Sequence, residues 1–142
     1  MRQRIYPMIA YQDTVTALGW LTTAFGFTEH GERFVMDDGT VGHAELDVGG
    51  GQIVMVATPN REYQGPKSHR ETCEAAGRWQ DNPWVIDGLL VIVDDLDAHH
   101  ARAVAAGAQV IRPLEEGPDG RLYTAEDLEG HRWMFQQARS DQ

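Results

Sequence analysis

One pattern occurs twice along this chain, and the repetition limits what the chain can fold into. An apolar strand runs into an aspartate, at Asp13 after IYPMIAYQ and at Asp95 after LLVIVD. A helix follows and closes in a small-residue turn, AFGF at 24–27 and AAGA at 105–108. A last strand opens after Gly51 (Gln-Ile-Val-Met) and after Gly130 (His-Arg-Trp-Met). The aspartates are 82 residues apart and the glycines 79. A near-constant offset is what duplicated modules leave behind, and a β-rich unit of this size does not stand alone. Two such units can curl around a shared cavity, which is where ligands are usually found.

Within the first copy, Arg4–Tyr11 reads as a strand. Thr14–Phe25 reads as a helix capped by Asp13, with Val15, Leu18, Leu21 and Phe25 at helical spacing and Gly26 at the stop. Phe27–Met36, Val41–Val48 and Gln52–Ala57 read as strands joined by Asp37-Asp38-Gly39 and Gly49-Gly50-Gly51. The second copy predicts a strand at Leu89–Val93 and an Ala-rich helix at Leu96–Ala106 with Asp95 as its cap and Gly107 as its stop. Strands follow at Gln109–Leu114, Leu122–Glu126 and Arg132–Gln137, with GPDG at 117–120 as a turn. Hairpin turns between strands exclude a doubly wound parallel sheet. Between the copies, Pro59 to Pro83 is polar and carries one expected short helix near Glu71–Trp79. A connection of that length is either a functional lid, with Trp79 and Trp84 as its aromatic residues, or a surface linker pinned by them.

Composition narrows the partners. Of 142 residues, 12 are basic and 22 acidic, a net charge of −10, which argues against nucleic acid or an anionic membrane surface and is compatible with a cationic ligand. The N-terminal stretch MRQRIYPMIAYQD has no apolar run of signal-peptide length, and no segment reaches spanning length, so a cytoplasmic protein is expected. The single Cys73 excludes an intrachain disulfide and fits a reducing compartment; with no partner motif beside it, it reads as a packed small residue rather than a nucleophile. No phosphate loop precedes a helix, and there is no serine nucleophile elbow.

The paired β-α-β-β-β pattern, together with WLTTAFGF, DDGTVGHAEL, VDDLDAHHARAVAAGA and DLEGHRW, resembles the vicinal oxygen chelate superfamily of glyoxalase I, bleomycin-resistance proteins and extradiol dioxygenases. Those stretches look closest to its PhnB-like branch. The resemblance implies an α+β fold: two βαβββ modules forming a curved, cup-shaped mixed sheet with helices on the outside. It implies one domain over 1–142, with modules at about 4–58 and 84–138 around the connection at 59–83. It also implies a homodimer, with cups formed by paired modules, sometimes across chains. The superfamily spans enzymes and pure binding proteins, so fold alone does not assign an activity.

Metal-using members place His or Glu on the first and last strand of each module. The matching positions here are Tyr6, Met55, Gly88 and Met134, and a slip of one residue either way adds only Asp87 as a ligand. Thioethers are soft and a phenol is protonated at neutral pH, so the superfamily's metal centre is expected to be lost and no cofactor is expected. His43 and Glu45 alternate with Val41 and Asp47 on one face of the third strand, opposite Gly42, Ala44, Leu46 and Val48. They are an acid/base or ligand-binding pair, or else an exposed strand face. On the last strand Arg132, Met134 and Gln136 share one face, with Trp133 and Phe135 on the core side. Arg121 is either a ligand-facing cation or a surface residue paired with Glu126 or Asp127. His99 and His100, about 100° apart on a helix, read as surface residues, and His30, His69 and His131 have no companion at metal spacing.

The expected function is therefore metal-free binding of a small organic molecule, such as sequestration of a toxin or antibiotic. Tyr6, Met8, Met55 and Met134 supply an apolar wall, soft at the methionines and able to stack at the ring. His43, Glu45, Arg121 and Arg132 supply polar contacts, and Trp79 and Trp84 cover the mouth. The rival is a glyoxalase-, epimerase- or dioxygenase-type enzyme with an atypical metal site at His43 and Glu45. A third alternative is a domain whose main role is association with another protein.

Overall fold

A computed structural model of the chain describes residues 2–84 and 87–139. Two four-stranded mixed sheets result, each with a helix between its first and second strands. The first module runs β1 (Met8–Ala10), α1 (Thr14–Phe25), β2 (Thr28–Val35), β3 (Val41–Asp47) and β4 (Ile53–Ala57). The connection holds α2 (Pro66–Thr72) and α3 (Glu74–Gln80), and the second module runs β5 (Gly88–Val93), α4 (Leu96–Ala105), β6 (Gln109–Gly117), β7 (Gly120–Glu126) and β8 (Arg132–Gln137). The sheet orders, β1-β4-β3-β2 and β5-β8-β7-β6, are the same arrangement twice. The outer pairs β1·β4 and β5·β8 are parallel and the rest antiparallel.

Both module helices start as the sequence predicts. Asp13 accepts from the Thr16 amide at 3.1 Å and Asp95 from the Ala98 amide at 3.1 Å, which satisfies amides that a helix start leaves free. The ends of α1 and α4 are more unusual, because each helix closes the other. Arg102 of α4 donates from Nε to the Thr23 carbonyl at 2.7 Å and from Nη2 to the Thr22 carbonyl at 3.1 Å. Trp20 of α1 donates from Nε1 to the Ala106 carbonyl at 3.0 Å. A guanidinium at a helix C-terminus also meets the negative end of the helix dipole.

The two modules share one core. Ala17, Leu18, Leu21, Ala24 and Phe25 of α1 are buried, as are Ala44, Leu46, Val54 and Val56 of the first sheet and Tyr123, Ala125, Trp133 and Phe135 of the second. Phe25 sits at the centre, with ring centroids 4.8 Å from Phe135, 5.8 Å from Trp133 and 5.7 Å from Phe27. The opposite sheet faces stay open: Met8 is 80% exposed and Leu90 54%.

Several expectations need correction. The first strand is only Met8–Ala10, shorter than Arg4–Tyr11: the register with β4 covers those three residues, and Pro7 and Tyr11 add one backbone bond each at its ends. The connection carries two short helices rather than one over Glu71–Trp79. Pro66 starts the first, and Cys73, in an extended conformation, breaks it from the second. Val41 is buried rather than on the His43 side. The β2·β3 register steps from Phe34↔His43 to Val35↔Val41, passing over Gly42 and reversing the alternation there. A Cβ on Gly42 would lie 2.8 Å from the Met36 sulfur, so a larger residue there would displace the exposed Met36 side chain.

His99 is not a surface residue. It is half-buried, with its ring centroid 4.1 Å from that of Phe135. Its Nε2 donates to the Phe25 carbonyl at 3.1 Å, and its Nδ1 lies 2.6 Å from the Tyr123 hydroxyl, which donates to it. Burial pushes the imidazole below its ordinary range, with Arg102 adding to the effect. A histidine whose folded pKa is depressed binds fewer protons folded than unfolded, so its contribution is full above about 6.5 and is lost as pH falls. Wild type should therefore lose more stability between about pH 7 and 5 than His99→Gln does. Parallel pH–stability curves from urea titrations would refute this role.

Candidate functional site

A cavity of about 620 Å³ lies where the modules meet. One wall is Pro7 to Ala10, along the edge of β1. The facing wall is the start of β5 (Asp87, Gly88, Leu89) and of β8 (Gly130 to Trp133). The connection supplies Tyr63, Gln64, Pro66, His69, Trp79 and Gln80. The size suits a small organic molecule, and the mixture of apolar and aromatic walls with a few polar groups is typical of ligand pockets.

The junction is held by the loop 127–131, the DLEGH segment. Asp127 is buried and accepts from the Tyr11 hydroxyl at 2.6 Å, the Trp133 indole at 3.1 Å, and the backbone amides of Glu129 and His131, each at 3.0 Å. Glu129 accepts the amides of Gln12 at 2.6 Å and Asp13 at 3.0 Å. His131 Nε2 donates to the Ala10 carbonyl at 2.7 Å, closing part of the β1 edge. Gly130 has φ +91°, and a Cβ there would come within 2.7 Å of the Lys67 amide nitrogen. Only glycine allows the loop and α2 to approach so closely. Burial, reinforced by the Asp127 charge, raises the Tyr11 phenol well above its usual range, so it stays a proton donor.

The connection is tied down at both ends. At its start, the Gly65 amide donates to Gln12 Oε1 at 2.6 Å and the Lys67 amide to the Glu129 carbonyl at 2.9 Å. At its end, Arg132 donates to the carbonyls of Gln80 at 2.7 Å, Asn82 at 3.0 Å and Trp84 at 2.7 Å. Its Nε contacts Glu126 at 3.3 Å, and Arg70 of α2 reaches the same carboxylate oxygen at 2.8 Å. These contacts make the cavity roof a preformed part of the fold.

The residues singled out from sequence do not all converge. Met8, Trp79 and Arg132 line the cavity. Arg132 commits most of its donors to the connection, so it shapes the wall more than it offers a free charge. Met55 pairs with Met8 on one side and Glu45 on the other, a row across the open face of the first sheet. His43 Nε2 is 2.9 Å from Glu45 Oε2 on that face. Met134 lies on the second sheet between Leu90 and Thr124, whose buried hydroxyl has no hydrogen-bond partner among the described residues. Tyr6 is 44% exposed just before β1. Trp84 is exposed, with the Arg112 guanidinium 4.4 Å above its ring. Arg121 pairs with Asp97 at 2.8 Å, not with Glu126 or Asp127, because Glu126 is taken by two other arginines and Asp127 by the junction donors.

Tyr63 is a cavity residue that the sequence did not mark, His69 was weighed only as a metal ligand, and Asp87 entered only as a ligand in a slipped register. Tyr63 and His69 sit in the polar connection, where no periodicity assigns a face. The family's metal positions give no ligand set: among the described residues no three His, Cys, Asp or Glu side chains are grouped to hold an ion. His43 and Glu45 supply two donors, short of the three or more a metal site takes from its protein.

A family model described as Glyoxalase/Bleomycin resistance protein/Dioxygenase superfamily matches residues 5–135. Among solved structures, the chain is similar to TioX from Micromonospora sp. ML1, with 36% identity over 96% of this chain and 97% of that one, and a TM-score of 0.68. It shares its fold with UcmS2, at 16% identity over 97% of this chain and all of that one, TM-score 0.67. The same holds for the fosfomycin resistance protein FosX from Listeria monocytogenes, solved with Mn(II) and a dihydroxypropylphosphonic acid, at 11% identity over 99% and 94% of the two chains, TM-score 0.65. No curated protein matches.

Proposed function

The chain belongs to the glyoxalase/bleomycin resistance protein/dioxygenase superfamily, and from that premise we propose that it binds a small organic molecule in the junction cavity without a catalytic metal. The cavity itself carries this reading: about 620 Å³, preformed, with Met8, Leu89 and Trp79 as apolar surface. Sequestration of a toxin or antibiotic is the most concrete form of the activity. DDGTVGHAEL and DLEGHRW support a place near the PhnB-like branch, and the lone Cys73 supports a cytoplasmic setting. Among the described residues no helix is long and apolar enough to cross a membrane.

Trp79 lines the cavity, so a bound aromatic compound should quench tryptophan emission saturably, and Trp79→Phe should remove most of the change. A broad panel of planar compounds that leaves the emission untouched would count against the reading. The open sheet faces, with Met8 and Leu90 exposed, support a homodimer that covers them. Light scattering that returns the 15.9 kDa of one chain at micromolar concentration would remove it.

The 2.9 Å contact between His43 and Glu45 favours a second reading, an enzyme with an atypical metal site there. That reading requires a further donor. It predicts near-stoichiometric metal in protein purified without chelators or a histidine tag, and loss of the metal in His43→Ala.

A further inference from the structure

We propose that the junction cavity selects a planar aromatic cation, an inference that rests on the cavity being the ligand site. The geometry supplies flat surfaces and one unspent charge. Trp79 and Tyr63 come from the roof, and His69 stands edge-on to Trp79 with ring centroids 5.9 Å apart. Met8 and Leu89 face them from the two walls. Aromatic faces carry negative quadrupole density and attract a delocalised cation more than an anion.

Two charged side chains line this cavity, Asp87 and Arg132. Arg132 gives its donors to three carbonyls and to Glu126, so its charge is already paired. Asp87, exposed at the mouth, makes no hydrogen bond or ion pair among the described residues. The nearby imidazole of His131 is engaged with the Ala10 carbonyl. Burial, with the charges of Glu129 and Asp127 adding to it, raises the Tyr63 phenol above its usual range, so it stays a proton donor at the cavity wall. Asp87 therefore leaves an uncompensated negative charge for a ligand at the cavity. The chain's net charge of −10 acts in the same direction at longer range.

The test is calorimetric titration of the full chain with two tricyclic probes of similar area, 9-aminoacridine as the cation and anthracene-9-carboxylate as the anion. It is run at about pH 8, where histidine side chains are uncharged. The cation is expected to bind about tenfold more tightly, with a preference that narrows as salt rises. Asp87→Asn should weaken the cation about threefold, as befits an exposed charge, and strengthen the anion by a similar or smaller factor. Trp79→Ala should weaken both. Equal affinities with a silent Asp87→Asn would overturn the charge selection while leaving the cavity as a ligand site. Binding of neither probe would overturn both the selection and the cavity reading.

Discussion

Asp127→Ala should lower the unfolding free energy by about 3–5 kcal/mol, enough to shift a thermal midpoint by about 10 °C or more in a chain of this size. Asp127 accepts four hydrogen bonds, and two of the donors, the Tyr11 hydroxyl and the Trp133 indole, are themselves almost fully buried. A buried donor left without an acceptor costs about 1–3 kcal/mol, and bonds to a carboxylate lie at the strong end. Tyr11 belongs to the first module and Trp133 to the second, so the loss falls on the contact between them. A double-mutant cycle isolates it: Tyr11→Phe should be costly in wild type and nearly neutral beside Asp127→Ala, since the bond is already gone. A cost below about 1 kcal/mol for Asp127→Ala in urea titrations would mean that the junction does not depend on this carboxylate.

Arg132→Ala should be nearly as damaging, at about 3 kcal/mol, and should also weaken ligand binding. Its side chain is 7% exposed and that of Glu126 4%. Removing one partner of a buried pair is costly because the other charge is left behind, though Arg70 still reaches Glu126 and keeps the loss at the lower end. The carbonyls of Gln80, Asn82 and Trp84 would turn to water instead. Hydrogen exchange should show α3 losing protection before the sheets do, because its anchor has gone. Unchanged exchange in α3 would show that Arg132 stabilises without holding the roof.

The modules were readable because their signals are local. Asp13 and Asp95 cap helices three residues ahead, and Gly26 ends α1 in the left-handed conformation. The connection was less readable for a physical reason. Its helix α2 buries no residue, so it leaves no apolar periodicity, and it is held by one backbone bond to Glu129 and by an ion pair to Glu126, both distant in sequence. His99 misled in the same way. On its own helix it neighbours another histidine, and only the packing of α1 and of β7 against α4 brings Phe25 and Tyr123 to it. Face parity on β3 held from His43 onward and failed at the Gly42 bulge, where the register against β2 shifts. The cavity depends on how one module sits on the other, and DLEGHRW marks that contact without spelling out its geometry.

The reciprocal closure of α1 and α4 has a consequence for how the duplicated halves can exist. Arg102 and Trp20 each complete a helix that belongs to the other half. A half expressed alone would carry frayed carbonyls at its helix end and a bare aromatic face around Phe25 or Trp133. Neither half then has a native state of its own, and the chain should unfold in a single step, with tryptophan emission and circular dichroism tracing one curve. The repeat that looks like two units in the sequence is, energetically, one indivisible unit, and a mutation that loosens either half is felt by both.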